Sequence, residues 1–343
     1  MENVPFIFGK VAETNNFTDR ETERQRLSQN FLSLINTTII SPRRWGKSSL
    51  VKSVSNSLTA DNKEYKVCLV DIFNVKSESD FYLHFAKNII KSTSTKWEDC
   101  PTDADDVLDL AETMAKKKGL KIIVCIDEFQ KIAAFEDPLF FQQKLRSHWQ
   151  RHQNVCYCLY GSKRHMLIDI FSNPSMPFYK FGDIMFLEKI DNKIWGKFVQ
   201  KRFKETGKKI TKKEGNYLAA LVANHPYYVQ QLAQMSWLRT KIYCSETIIN
   251  DSLQTLKNQL SLLFMGLTET LTATQMNFLK ALLDGVTSFG KENLQKYNLG
   301  TSANILKIKD ALLNKEIIDI TPKQIDIQDP VFALWLKEDY FTI

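Results

Sequence analysis

Thr37-Thr38-Ile39-Ile40, then Ser41-Pro42-Arg43-Arg44-Trp45-Gly46-Lys47-Ser48-Ser49, then Leu50-Val51-Lys52-Ser53-Val54 is the stretch that decides the fold. The first four residues read as a short β-branched strand and the last five open a helical pattern, so the nine between them are a loop joining strand to helix. In such a loop the backbone N–H groups converge on phosphate and the helix N-terminus adds its positive end. Ser41, Pro42, Arg43, Arg44, Trp45, Gly46, Lys47, Ser48 and Ser49 are therefore the candidate nucleotide-binding residues. Lys47 would reach the phosphate oxygens and the Ser48 hydroxyl would ligate Mg²⁺. One position departs from the G-x-x-x-x-G-K-[ST] pattern: Ser41 stands where the first glycine marks a tight turn.

A second stretch, Lys121-Ile122-Ile123-Val124-Cys125-Ile126-Asp127-Glu128, supports the first. Its apolar run, bounded by Gly119 and by a charged pair, reads as a strand buried on both faces. Asp127 at the carboxyl end suits a Mg²⁺ carboxylate, and Glu128, pointing the other way, could polarise an attacking water. An Asp-Glu pair after an apolar strand would otherwise be a solvated loop; the phosphate loop upstream turns the reading toward a nucleotide site.

With 343 residues the chain can hold two or three domains with proper cores. Hydrophobic content of 43% and charged content of 25% are those of an ordinary soluble protein. No run approaches the roughly 20 apolar residues of a membrane span, and Met1–Phe6 has no signal-peptide pattern, so a cytoplasmic location without membrane contact is expected. The six cysteines are scattered through strand-like runs with no zinc or redox spacing, which reads as reduced core residues. His148 and His152 are four apart on an expected helix, with no ligand motif around them.

Strand and helix patterns alternate through 1–190, which predicts an α/β core, a parallel sheet covered by helices. Tyr65–Ile72 and Asn154–Ser162 are further strands, and a helix is expected near 138–152. Where the Asp-Glu strand lies one strand away from the phosphate loop, the strand between them ends in a polar sensor of the γ-phosphate. Ser162 fits that place, and equally fits a helix N-cap before Lys163-Arg164-His165. Together with Glu128 and Lys47 it completes the candidate catalytic set. From 191 to 267 the pattern is helical, with Asp191 as a cap and Thr211-Lys212-Lys213-Glu214 as a capping box, and this segment is expected to form a lid. From 268 to 343, three helices precede Ile317–Ile320 and Gln324–Ile327, two short strands joined by Thr321-Pro322-Lys323: the layout of a winged helix.

Phe17-Thr18-Asp19-Arg20-Glu21, Pro42–Leu50, Ile126-Asp127-Glu128-Phe129-Gln130, Gly161-Ser162, Asn224-His225-Pro226-Tyr227-Tyr228 and Asp329-Pro330-Val331-Phe332 with Trp335 occur in that order. Over nearly its whole length the chain resembles the archaeal-type ATPase family, P-loop proteins of AAA+ type related to the signal-transducing ATPases with numerous domains (STAND) and to origin-recognition ATPases. In that family a serine at the loop's first position is tolerated. The resemblance implies ATP rather than GTP, places Asp19 and Arg20 near the adenine, and puts Pro226 on the lid over the nucleotide. After the sensor strand the family often carries Pro-Leu-Tyr-Gly-Arg; here Pro177-Phe178-Tyr179-Lys180 substitutes lysine for a potential arginine finger, and Arg164 is a weaker candidate for that role.

Charge is uneven. Residues 151–250 carry 16 Lys+Arg against 7 Asp+Glu, while 251–343 carry 9 against 11. The third helix of the winged-helix segment offers only Lys307 and Lys309, opposed by Asp310, which favours a protein partner over nucleic acid there. The basic lid stretch could touch nucleic acid, or it could be a solvated helix face. The expected function is a Mg-dependent ATPase acting as a nucleotide-driven conformational switch in signalling or regulation; the alternative is a DNA-associated ATPase of a replication or mobile-element system.

Overall fold

The computed structural model describes residues 4–12, 17–18, 20–96, 100–321 and 324–341. The chain divides into two compact units, Val11–Glu188 and Lys189–Ile343 with Met1–Lys10. The start of the chain, expected with the core, thus belongs to the second unit: Phe6 is buried among Trp195, Phe198 and Phe203.

In the first unit the elements run α1 (Glu21–Leu32), β1 (Thr37–Ile40), α2 (Lys47–Asp61), β2 (Tyr65–Asp71), α3 (Glu78–Ser92), α4 (Ala104–Lys118), β3 (Lys121–Asp127), a 3-10 helix (Phe129–Ala134), α5 (Pro138–Trp149), β4 (Val155–Gly161), α6 (Arg164–Ser172) and β5 (Asp183–Phe186). The five strands form one parallel sheet in the order β2-β3-β4-β1-β5. Alternate side chains of β3 enter different cores: Ile122, Val124 and Ile126 pack with α3, α4 and α5, whereas Ile123 and Cys125 pack with α1 and α2. A strand buried on both faces is what its unbroken apolar run calls for. The fifth strand was not evident in the sequence. It has four residues, begins on Asp183 and is fixed from outside, since the Asp183 carboxylate accepts from Arg26 Nε and Asn30 Nδ2, both at 2.8 Å.

Register brings the carboxyl ends of three strands together. Ile40 pairs with Gly161 across β1 and β4, and Ile126 with Leu159 across β3 and β4. The strand between the phosphate loop and the Asp-Glu pair is therefore β4, the one that runs into Ser162.

In the second unit α7 (Asn192–Glu205), α8 (Lys212–Leu221), α9 (Pro226–Arg239) and α10 (Glu246–Glu269) lead to α11 (Ala273–Leu283), α12 (Lys291–Lys296), α13 (Ser302–Asn314), β6 (Ile318–Ile320), β7 (Ile325–Ile327) and α14 (Pro330–Trp335), followed by a π-helical turn Leu336–Tyr340. Thr211 and Glu214 make the expected capping box, and Asp191 caps α7 through Lys193 N–H. Three helices and the antiparallel β6–β7 pair give the winged helix; Pro322 and Lys323 of the expected turn lie outside the described residues. One continuous apolar core runs through this unit, from Trp195 and Leu218 to Phe278, Leu312 and Trp335. The 24-residue α10 contributes Ile249, Leu256 and Phe264 to it, and buried Lys257 donates to Glu338 and Asp339 at 2.6 and 3.0 Å.

Candidate functional site

The phosphate loop leaves β1 at Ser41 and enters α2 at Lys47. Positive backbone φ falls at Arg44 (62°) and Gly46 (91°), the latter the N-cap of α2. Ser41 is not among the positive-φ residues, which is why a side chain is tolerated where the motif has glycine. Ser41 is buried, and its hydroxyl and carbonyl accept from Lys47 Nζ at 3.2 and 3.0 Å; the Pro42 carbonyl accepts at 2.8 Å. The ammonium is thus held against the loop at the N-terminal end of α2, where helix dipole and backbone amides favour an anion. Ser49 Oγ accepts from Ala12 N–H at 2.9 Å and ties the segment before α1 to the same helix.

Ser48 Oγ donates to Asp127 Oδ2 at 3.0 Å, bringing the loop and β3 together. Burial pushes the Asp127 carboxyl up to about 6, and the neighbouring Glu128 charge adds to this; the Ser48 hydroxyl, the Glu128 N–H and Lys47 oppose it. A hydroxyl beside a buried carboxylate whose ionisation is under-compensated is an all-oxygen pair that suits Mg²⁺.

Glu128 sits one residue beyond β3 with φ 58°, a left-handed conformation unusual for a side chain of its size. The strand-to-3-10 turn imposes it and swings the carboxylate toward β4. There Glu128 Oε2 accepts from Ser162 Oγ at 3.0 Å and from Gln130 Nε2. Ser162 does not cap α6, whose N-cap is Lys163 with no side-chain cap; its hydroxyl faces Glu128 instead. Gln130 was not singled out as a site residue. It is 3% exposed, and its place depends on Gly161, where an added Cβ would stand 1.8 Å from Gln130 Oε1 and 3.2 Å from Glu128 Cα. The Gly-Ser pair closing β4 was legible as a strand end, but a glycine needed for close approach to a glutamine far away in sequence was not.

A family model described as an ATPase domain predominantly from Archaea matches residues 17–232, and a model described as a probable winged helix domain matches residues 262–338. The chain belongs to this ATPase family. No curated protein sequence matches it. Among solved structures, the fold is similar to the Walker-type ATPase PABY2304 of Pyrococcus abyssi (16% identity, 97% of this chain and 99% of that one, TM-score 0.73). It is also similar to the Aeropyrum pernix ORC2 protein, solved as ADPNP-ADP complexes (15% identity, 95% and 94%, TM-score 0.65), and to the Aeropyrum pernix ORC1 protein in complex with DNA (13% identity, 96% and 94%, TM-score 0.55). The chain is therefore an ATPase-type P-loop protein with a C-terminal winged helix.

The remaining candidates of this ATPase family member are distributed differently. Arg20 is 3% exposed, and its guanidinium donates to the carbonyls of Trp45 (3.2 Å) and Glu188 (3.0 Å) and to Glu23 Oε1 (2.8 Å). It braces the phosphate loop against the end of the sheet. Asp19 lies outside the described residues. Pro226 is the first residue of α9, in the second unit. Lys180 has φ 54° and its ammonium lies over the Tyr179 ring at 5.2 Å, while Arg164 opens α6. His148 Nδ1 and His152 Nε2 both bond Asp109 Oδ1 at 2.9 Å, a structural cluster at the other end of β4.

Proposed function

We propose that this protein binds ATP with Mg²⁺ and hydrolyses it, and that turnover drives a conformational switch. The observation that carries the reading is the convergence at the carboxyl ends of the inner strands of Lys47, the Ser48–Asp127 pair and the Glu128 carboxylate held by Ser162. Lys47 and the loop amides would hold the terminal phosphates, with Ser41 through Ser49 forming the cradle. Ser48 and Asp127 would hold Mg²⁺, which when bound neutralises charge on the phosphate oxygens. Glu128 would orient and deprotonate the attacking water, and Ser162, bonded to that carboxylate, would register the γ-phosphate. The roles that the family resemblance gives to Asp19, Arg20 and Pro226 belong to the same proposal.

The winged helix is proposed to meet a protein. Leu262 and Leu263 on α10 are 78% and 65% exposed, Leu306 on α13 is also exposed, and the Lys309 ammonium lies over its neighbour Phe289. Signalling or regulation is the setting that such a switch fits.

Phosphate release from Mg-ATP by the wild type and by Glu128→Gln tests the reading. Turnover should fall by about 10²–10⁴-fold in the variant while ATP binding persists. Equal turnover in both would remove Glu128 from the chemistry; loss of binding together with turnover would make it a structural residue.

A further inference from the structure

The excess of lysine in the second unit is not spread evenly over its surface. Lys197, Lys201 and Lys204 lie on one face of α7, at helical spacing and spread over about 10 Å of the axis. Opposite them the segment after α7 is held in place: Lys209 N–H donates to the Ile242 carbonyl and Cys244 N–H to the Lys209 carbonyl, both at 2.8 Å. Lys208 is fixed beside it, its ammonium 3.0 Å from the Trp237 carbonyl and 3.9 Å above the Trp237 ring. Between the two walls is a groove of about 660 Å³ lined by these five lysines and Tyr243, with no carboxylate among its lining residues. Glu205 pairs with Lys201 at 3.9 Å and with Arg202 at 2.5 Å, and Glu214 accepts the Tyr243 hydroxyl at 2.5 Å.

We propose that this groove binds the phosphate backbone of a nucleic-acid strand without reading its sequence. Lysines on both walls make the groove electropositive, with Lys208 held by Trp237 and Lys201 near Glu205, and a positive groove of this kind draws a charge-dense anion. Among the groove's lining residues, lysine is the one charged type. Arginine's planar fork, which recognises carboxylates in pairs, is absent from its lining, whereas lysine acts on phosphate as a mobile point charge. Tyr243 is 47% exposed with its hydroxyl anchored, so its ring offers a fixed face on which a base can stack. The basic segment seen in the sequence becomes a site because α7 and the 208–211 turn face each other across this groove.

The test is fluorescence anisotropy of the full chain with a labelled oligothymidylate across a salt series, with poly-L-glutamate as competitor. Binding should weaken linearly in log–log form as salt rises, by about 0.7 per neutralised phosphate. Lys201→Gln/Lys204→Gln should weaken binding at least tenfold and lower the slope by about 1.4, while Lys212→Gln/Lys213→Gln, the same charge change on α8 outside the groove, should leave it within twofold. Equal loss in both double variants would overturn the groove in favour of diffuse charge. Displacement by poly-glutamate at matched charge concentration would overturn the ligand class in favour of an acidic protein segment. Absence of salt-dependent binding would overturn the proposal outright. ATP binding by Lys201→Gln/Lys204→Gln, followed with a fluorescent ATP analogue, should be that of the wild type, which keeps this result independent of the ATPase reading.

Discussion

Two polar clusters occupy the two ends of β4, and they hold their carboxylates in opposite ways. At the amino end, Asp109 takes His148 and His152, and Glu112 takes the Asn154 backbone and side-chain N–H groups at 2.9 Å each. Burial alone would raise both carboxyls, but hydrogen bonds outweigh it, from His152 and His148 on Asp109 and from Asn154 on Glu112, and both lie below their ordinary values. At the carboxyl end, Asp127 is pushed up to about 6 and Glu128 sits at a positive φ. The first cluster satisfies its charges and stabilises the fold. The second keeps a carboxylate under-compensated and a backbone strained, features that cluster at functional sites.

The largest effect expected from breaking this contrast is at Lys47. Lys47→Ala removes the one ammonium held at the loop by Ser41 and Pro42. ATP affinity, followed by equilibrium dialysis, should fall by about 2–4 kcal/mol, roughly 30- to 700-fold. Tight ATP binding by this variant would end the assignment of the loop.

Gly161→Ala comes next, and separates positioning from binding. The new methyl would overlap the Gln130 amide and crowd Glu128 Cα. A loss of about 1–3 kcal/mol of stability is expected, with turnover per folded molecule down at least tenfold and ATP affinity little changed. Adding Gln130→Ala should return much of the stability, because the flexible side chain is the nearer obstacle, yet turnover should stay low because Glu128 has lost a donor. Recovery of both would make Gln130 a packing residue.

At the amino end the outcomes should reverse. Glu112→Ala leaves the part-buried Asn154 N–H, in the turn before β4, without its carboxylate. The cost should be about 1–3 kcal/mol, read as a lower unfolding midpoint in urea, with turnover per folded molecule unchanged. A specific loss of turnover would mean that the two ends of the strand are coupled.

These contrasts were partly visible beforehand. The loop, β3, Asp127, Glu128 and Ser162 were legible because their chemistry is local: a short run of residues carries both the motif and its strand or helix context. So were the Thr211–Glu214 capping box and the winged-helix order. The Asp183–Phe186 strand was not, because its place depends on pairing with Thr37–Ile40 and on Arg26 and Asn30 of α1, not on its own pattern. Gln130 was hidden for the same reason, since its partner is a glycine on another strand. The histidine pair at 148 and 152 shows helical spacing, but only the fold supplies Asp109 and the Tyr157 hydroxyl. The groove lysines were counted in the sequence, yet convergence is a property of the turn that faces α7.

The smallest effect concerns pH and follows from His152. Burial holds its imidazole below the ordinary 6.5, against the pull of Asp109 and Glu112 and with the help of His148. Its Nε2 bonds Asp109 and its Nδ1 meets the Tyr157 hydroxyl at 2.9 Å, an arrangement that suits the neutral ring, one nitrogen donating and the other accepting. The unfolded chain therefore takes up this proton first as pH falls. The contribution to stability is complete above about pH 6.5 and is lost as pH drops through that value toward the folded pKa, at no more than about 1.4 kcal/mol per pH unit. Asp109 and Glu112 lose theirs only lower, below their ordinary values of 3.8 and 4.5. Asp127 works in the other sense: its raised pKa means that the folded state binds the proton more readily between its ordinary 3.8 and about 6. Urea midpoints at pH 7.5 and 5.5 in an Asp127→Asn background remove that opposing contribution. There the fall on acidification should be clear, and His152→Gln should flatten it; an equal fall in both variants would place the titrating group elsewhere.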